Sequence, residues 1–293
     1  MKQVVFGRSV RGASHIRAGT ECQDSYKKTI CDDGTIILSV ADGHGSKACP
    51  YSRTGSRIAV NVFSSIMKNL YDGYAEHSEQ LVTYLNREGD TRISKAIDAE
   101  WKRRVIEAHR KNKREIAAME DGSDDLKRVY KQYGTTLLGL LITKTFVFAL
   151  QLGDGDICYA NASGLELVIQ PEKMLGVETH SLSRDNAWEK AMTVVRRIDL
   201  ADHLPAMFVL SSDGFANSYK SEDEFHNTVI DYLKMINEHG AKAVEENLPS
   251  WLSETSSMGC GDDITLLIAY FSQDDEKKVP VQEPAKDEVD PIE

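Results

Sequence analysis

Short apolar runs punctuated by Gly, Asp and Asn predict strands at residues 4–8, 25–30, 36–41, 135–142, 146–152, 157–161, 165–169, 192–198, 207–211 and 264–271. Helical periodicity replaces this pattern in three blocks. In 48–70, Ile58, Val62, Ile66 and Leu70 recur at i, i+4 spacing; in 79–130, Ile93, Ile97, Trp101 and Val105 form one stripe; the third block covers 222–253. Strands early, helices in the middle and strands late predict an α+β fold, a four-layer α-β-β-α sandwich with two central antiparallel sheets flanked by helices. There is no internal repeat. Residues 1–272 read as one domain carrying a helical insertion at 71–130, and residues 273–293 as an acidic, Pro-rich disordered tail.

With 293 residues and 41% hydrophobic content, the chain is long enough to bury a full core. The net charge is −11, and the tail supplies a good part of it with eight Asp or Glu against three Lys, so the body is only mildly acidic. That balance argues against nucleic acid as a partner. No apolar stretch approaches the roughly 18 residues of a membrane span, and the opening Met1-Lys2-Gln3-Val4-Val5-Phe6 is too short for a secretory signal. The five cysteines include no Cys-x-x-Cys pair, which points to reduced thiols and a cytoplasmic protein.

Four Asp-Gly or Asp-Asp turns adjoin these runs: Ala41-Asp42-Gly43-His44-Gly45, Gly153-Asp154-Gly155-Asp156, Ser212-Asp213-Gly214 and Gly261-Asp262-Asp263. Taken singly, each is an ordinary turn signal. The turn at Asp154–Asp156 reads as a hairpin between 146–150 and 157–160, whereas Asp42 and Asp213 follow a strand and precede a loop or helix. Together, carboxylates fixed at strand ends, with Gly allowing close approach, point to a Mg²⁺ or Mn²⁺ centre. Oxygen donors without a Cys or His cluster select such hard cations over zinc.

Asp-Gly-His-Gly after a strand, then Gly134-Thr135-Thr136, Gly153-Asp154, Ser212-Asp213-Gly214 and Asp262-Asp263-Ile264-Thr265, occur in an order that resembles the metal-dependent serine/threonine protein phosphatases of type 2C. The resemblance covers roughly residues 7–271. The segment Ser14-His15-Ile16-Arg17-Ala18-Gly19-Thr20-Glu21-Cys22-Gln23-Asp24 is similar to a bacterial branch in which Gln-Asp replaces Glu-Asp. This implies two Mn²⁺ or Mg²⁺ ions: Asp42 bridging both, the Gly43 carbonyl on one, Asp213 and Asp262 on the other, with Asp24 and Gln23 in or near the water shell. Asp154 would sit at a third, looser metal position. The implied reaction is hydrolysis of phosphoserine and phosphothreonine in proteins by a metal-activated water, with His44 as general acid. The implied partner is a phosphoprotein, the target of a serine/threonine kinase or the kinase itself, met by a monomer. The competing readings are a catalytically weak phosphoprotein-binding module on the same fold and a phosphatase of small phosphate esters.

Two positions depart from the family pattern. Gly19 stands where many relatives carry a phosphate-binding Arg, so Arg17, His15 or Arg11 are the candidates to replace it. Asn217 stands where many carry a further acidic ligand for the third metal. Other phosphatase chemistries fail on the letters. Asp32-Asp33-Gly34-Thr35 has Cys31 where an aspartyl nucleophile belongs, and Cys49 lacks the Arg six residues on that a thiolate loop needs. The basic run 101–114 reads as the solvated face of a helix or as a docking surface for an acidic partner. Residues 171–190 lie where the family carries a variable flap beside its active site.

Overall fold

The computed structural model describes residues 1–74, 77–170 and 179–273. Two five-stranded antiparallel sheets form its centre. The first contains β1 (Lys2–Val10), β6 (Asp156–Asn161), β7 (Gly164–Leu167), β9 (Ala206–Ser211) and β10 (Ile264–Ser272), in the order β1-β10-β9-β6-β7. The second contains β2 (Ser25–Ile30), β3 (Ile36–Ala41), β4 (Leu137–Ile142), β5 (Phe146–Leu152) and β8 (Met192–Arg197), in the order β2-β3-β4-β5-β8.

The central strands read as continuous apolar runs because both of their faces are covered. All six residues of β3 are buried. Ile36, Leu38 and Val40 point into the core between the sheets, where they join Leu138, Leu140, Phe208, Leu210 and Leu267. Ile37 and Ala41 alternate to the opposite face and pack with Val62, Phe63, Met67 and Trp101. Those last residues come from α2 (Ser52–Gly73) and α4 (Ser94–Lys111), which join α3 (Ser78–Glu88) and α5 (Leu126–Lys131) in one outer layer. The other outer layer holds α6 (Asp213–Ala216), α7 (Glu222–His239) and α8 (Ala241–Met258), whose Phe215, Phe225, Val229, Leu248 and Leu252 cover Phe6, Val209 and Ile268. The four layers expected from the sequence are therefore present.

Three expectations change. The helical block 79–130 is interrupted: a π-helical turn at Gly89–Ile93 joins α3 to α4, and a non-helical stretch separates α4 from α5. The block 222–253 breaks at Gly240, whose φ of 85° ends α7 and starts α8. The Asp154 turn is no hairpin. It carries the chain from β5 in one sheet to β6 in the other, and Asp156 pairs with Ser211 of β9. The Asp32–Thr35 turn does close the β2–β3 hairpin, with Ile30 opposite Ile36 and Thr35 N–H donating to Asp33 Oδ1 at 2.9 Å. Residues 171–178 of the expected flap and 274–293 of the expected tail lie outside the described residues. No helix among the described residues is long and apolar enough to cross a membrane.

Candidate metal centre

In an antiparallel sheet the end of one strand lies beside the start of its neighbour. Asp24 precedes β2 and Asp42 follows β3, and Ser25 pairs with Ala41. Asp213 follows β9 and Asp262 precedes β10, with Ser211 opposite both Leu266 and Asp156. Asp154 follows β5, whose Leu152 pairs with Leu137 just beyond Thr136. Alternating strand directions thus bring five distant carboxylates to one rim of the sandwich.

The backbone around Asp42 is fixed by Gly134-Thr135-Thr136. Thr135 Oγ1 donates to the Asp42 carbonyl at 2.7 Å, Thr136 N–H to the same oxygen at 2.9 Å, and Asp42 N–H to Thr136 Oγ1 at 3.0 Å. His44 N–H donates to the Gly134 carbonyl at 3.1 Å, so the Gly43–Thr135 bridge is closed without use of the Gly43 carbonyl. Gly43 has no room for a side chain, because a Cβ there would lie 2.7 Å from the Gln23 carbonyl oxygen and 2.9 Å from that of Ser52. A Cβ on Gly134 would stand 2.7 Å from His44 Cδ2, which places the imidazole directly over Gly134.

Burial and mutual repulsion govern the carboxyl groups. Asp24 is buried, and desolvation pushes it up to about 7 against hydrogen bonds from Ser212 and Thr265, with Asp263 and Asp213 adding repulsion. Asp213 rises to about 6, again mainly by desolvation, with a hydrogen bond to Asp42 opposing and Asp154 and Asp262 reinforcing the rise. Asp42 is raised well above the usual carboxylate range by desolvation and then by Asp24 and Asp213. Part of the Asp42 residue still meets solvent.

The donor set fits a hard divalent cation. Asp24 Oδ1, Asp213 Oδ1 and Gln23 Oε1 are buried without hydrogen-bond partners, and an unmatched buried oxygen is costly unless a donor or cation satisfies it. Among the described residues no group of three or more His, Cys, Asp or Glu side chains is drawn together closely enough to hold a metal ion, so the carboxylates are neighbours without a finished ligand cage.

Several neighbours have contacts that the sequence reading did not assign to them. Ser212 Oγ donates to Asp24 Oδ2 at 2.7 Å and accepts from Thr265 N–H at 2.9 Å. Asp263 is buried and takes N–H groups from Gly12 at 2.6 Å and Gln23 at 2.7 Å. Its signal was the Asp-Asp doublet at a strand start, where pleating sends successive side chains to opposite sides. Asn217 Nδ2 donates to Asp213 Oδ2 at 2.9 Å, and Thr179 Oγ1 to Asp154 Oδ2 at 2.7 Å.

The three candidates for the phosphate anchor sit in different settings. Arg17 is exposed on α1 (Ala13–Ala18) and makes no hydrogen bond or ion pair among the described residues. Arg11 donates from Nη2 to the His15 carbonyl at 3.0 Å, and its buried Nε has no partner. His15 lies between two carboxylates, Nδ1 at 2.9 Å from Asp263 and Nε2 at 3.6 Å from Asp262. Gly19 has φ +72°, and a Cβ there would meet nothing within 4 Å. In the basic run, Arg103 and Arg104 pair with Glu100, Lys102 with Asp98 and Arg110 with Asp124, so local carboxylates neutralise much of that face.

Two antiparallel sheets between helical layers, with carboxylates gathered at one rim, define the architecture. The model of the protein phosphatase 2C family matches residues 11–253, and the chain belongs to that family. It is accordingly a protein serine/threonine phosphatase by class. No curated protein sequence matches significantly. Among solved structures, the fold is similar to a bacterial serine phosphatase at TM-score 0.62 and 14% identity, covering 93% of this chain and 99% of that one. It is also similar to the Mycobacterium tuberculosis serine/threonine phosphatase PstP/Ppp at TM-score 0.59 and 15% identity, with coverages of 93% and 100%. The catalytic domain of PstP in complex with two manganese ions matches at TM-score 0.55 and 16% identity, over 92% and 99% of the two chains.

Proposed function

We propose that this phosphatase hydrolyses phosphoserine and phosphothreonine in proteins with two Mn²⁺ or Mg²⁺ ions held at the Asp24–Asp42–Asp213–Asp262 rim. The observation that carries this reading is the convergence of these carboxylates with unmatched oxygens on Asp24, Asp213 and Gln23. Asp42, central among them, would hold both ions, the Gly43 carbonyl, Asp213 and Asp262 would supply further oxygen ligands, and Asp24 and Gln23 would lie in or near the water shell. When bound, the ions supply the nucleophile and neutralise charge for in-line phosphoryl displacement.

The residues perform the remaining work. His44, fixed over Gly134, gives its proton to the seryl or threonyl oxygen as the P–O bond breaks, so the alcohol departs neutral. Arg17, exposed and uncommitted, is the preferred anchor for the phosphate in place of Gly19, with Arg11 the second candidate. Asp154 would offer a weaker third site, for which Thr179 competes through its hydrogen bond. The substrate is a phosphoprotein modified by a serine/threonine kinase, and the free cysteines suit a cytoplasmic setting.

Phosphate release from phosphothreonine and phosphoserine peptides should require Mn²⁺ or Mg²⁺ and stop on chelation, and small phosphometabolites should react far more slowly. Chelator-resistant turnover, or a preference for free phosphate esters, would overturn the proposal.

A further inference from the structure

Helix α1 contains only six residues, too few to hold itself in place. It is stitched to the end of α8 and to the loop that carries Asp262. Ala13 N–H donates to Ser256 Oγ at 3.0 Å, Ser14 N–H and Oγ both donate to the Gly261 carbonyl at 2.9 and 2.6 Å, and Gly12 N–H donates to Asp263 Oδ1 at 2.6 Å. Gly12 itself lies so close that a Cβ there would be 2.4 Å from the Asp262 carbonyl carbon. These contacts set the imidazole of His15 against the carboxylates of the rim.

Each side of that ring meets the metal centre. Nδ1 stands 2.9 Å from Asp263 Oδ1, a carboxylate already fixed by Gly12 and Gln23, in a close polar contact that is not aligned as a hydrogen bond. Nε2 stands 3.6 Å from Asp262 Oδ1. A Cβ on Gly45 would lie 3.4 Å from His15 Nε2 and 2.7 Å from the unpartnered Gln23 Oε1. Nε2 therefore looks into a space bounded by Asp262, the Gln23 amide oxygen and the loop that carries Asp42 and His44. A phosphate anchor must offer its charge to the substrate, but this ring is flanked by two carboxylates. Asp262, in contrast, needs support. Its side chain is 49% exposed, and one short backbone hydrogen bond, from Asp263 N–H to Oδ1 at 2.8 Å, holds it.

We propose that His15 is a positioning residue of the metal centre: seated on Asp263, it holds the Asp262 carboxylate toward the ion through Nε2. The inference rests on the metal centre proposed above. Loss of a group that orients a metal ligand typically weakens metal binding by about 10- to 100-fold.

Manganese affinity is measured on the full chain by calorimetry and by the paramagnetic resonance of free Mn²⁺, for wild type, His15→Ala, His15→Gln and His15→Asn. An Asn amide can mimic Nδ1 and a Gln amide can reach toward the place of Nε2. His15→Ala should lose about tenfold or more in Mn²⁺ affinity. His15→Gln should recover most of that loss, and His15→Asn should recover the melting temperature without the affinity. At saturating Mn²⁺, KM for a phosphopeptide should stay near wild type in all three. Wild-type Mn²⁺ affinity in His15→Ala overturns the inference, as does equal recovery by Asn and Gln. A tenfold rise in KM at saturating metal would make His15 a phosphate anchor and would overturn it too. If the Ala variant does not fold, the Gln–Asn comparison decides the matter alone. Wild type that binds no Mn²⁺ would overturn the proposed metal centre itself, whereas normal binding unaffected by His15 substitution overturns only its positioning role.

Discussion

Replacing Asp24 with Asn removes one charge from the repelling rim while leaving an acceptor for Ser212 Oγ, now 2.7 Å from Oδ2. In the folded chain this carboxyl is raised to about 7, against an ordinary value near 4. Because the folded value is the higher one, the protonated group favours the fold. Its contribution is complete below about pH 4 and is lost as pH climbs toward 7. Above that, an ionised Asp24 costs about 4 kcal/mol at most, at 1.36 kcal/mol per tenfold change in proton affinity, and relaxation lowers the figure. If half of it is realised, and 1 kcal/mol moves the melting temperature of a domain of this size by roughly 2–4 °C, Asp24→Asn should melt about 4–8 °C above wild type at pH 8 in chelator. At pH 4 the gap should nearly close. Added Mn²⁺ should stabilise wild type more than the variant, since only the carboxylate gains from the cation. Scanning fluorimetry at both pH values, with chelator and with Mn²⁺, reads all of this. Equal melting at pH 8 in chelator, or an equal gain from Mn²⁺, would refute the argument that desolvation and neighbouring carboxylates set the charge state of Asp24.

His44→Ala should slow phosphopeptide hydrolysis about 10²-fold or more, and less on p-nitrophenyl phosphate, whose leaving group needs little protonation; equal defects on both substrates would make His44 structural. Arg17→Ala should raise KM about 10- to 100-fold, the effect of losing a charge-assisted hydrogen bond of roughly 1.5–3 kcal/mol; steady-state kinetics that show the rise in Arg11→Ala instead would move the anchor there. Gly19→Arg meets open space but a left-handed backbone, so it should lower KM at a cost of about 1–2 kcal/mol in stability, read by kinetics and denaturant unfolding. Asn217→Asp replaces a donor to Asp213 with a like charge and should lower the melting temperature in chelator at pH 8, an effect that Mn²⁺ reverses.

Much of the sandwich was legible because its central strands are buried on both faces. Runs such as 36–41 and 146–152 each carry a single polar residue, the buried Ser39 and Gln151, and they match β3 and β5. The Asp154 turn was misread for a physical reason: Asp-Gly states that the chain reverses but not whether the next strand joins the same sheet. The helical insertion kept its stripe at Ile93, Ile97, Trp101 and Val105, yet its interruption after Lys111 leaves no mark on that periodicity. Helix α1 was missed because its hydrogen bonds go to residues about 240 positions away, which local propensity does not register. The same holds for Asp263, whose partners Gly12, His15 and Gln23 come from the other end of the chain. The pairing that quiets the basic run was readable only in part: Glu100 and Glu107 lie within a turn of Arg103, but Asp124 reaches Arg110 only through the fold.

The central claim is that one carboxylate, Asp42, joins two cations into a single hydrolytic centre. Equilibrium Mn²⁺ binding measured on wild type and Asp42→Ala, alongside phosphate release from a phosphothreonine peptide on the same samples, tests it most directly. Two tight sites per chain in wild type, both weakened together in Asp42→Ala with turnover gone and the fold intact, is the predicted result. A single Mn²⁺ site, or an Asp42→Ala enzyme that retains appreciable turnover, would contradict it.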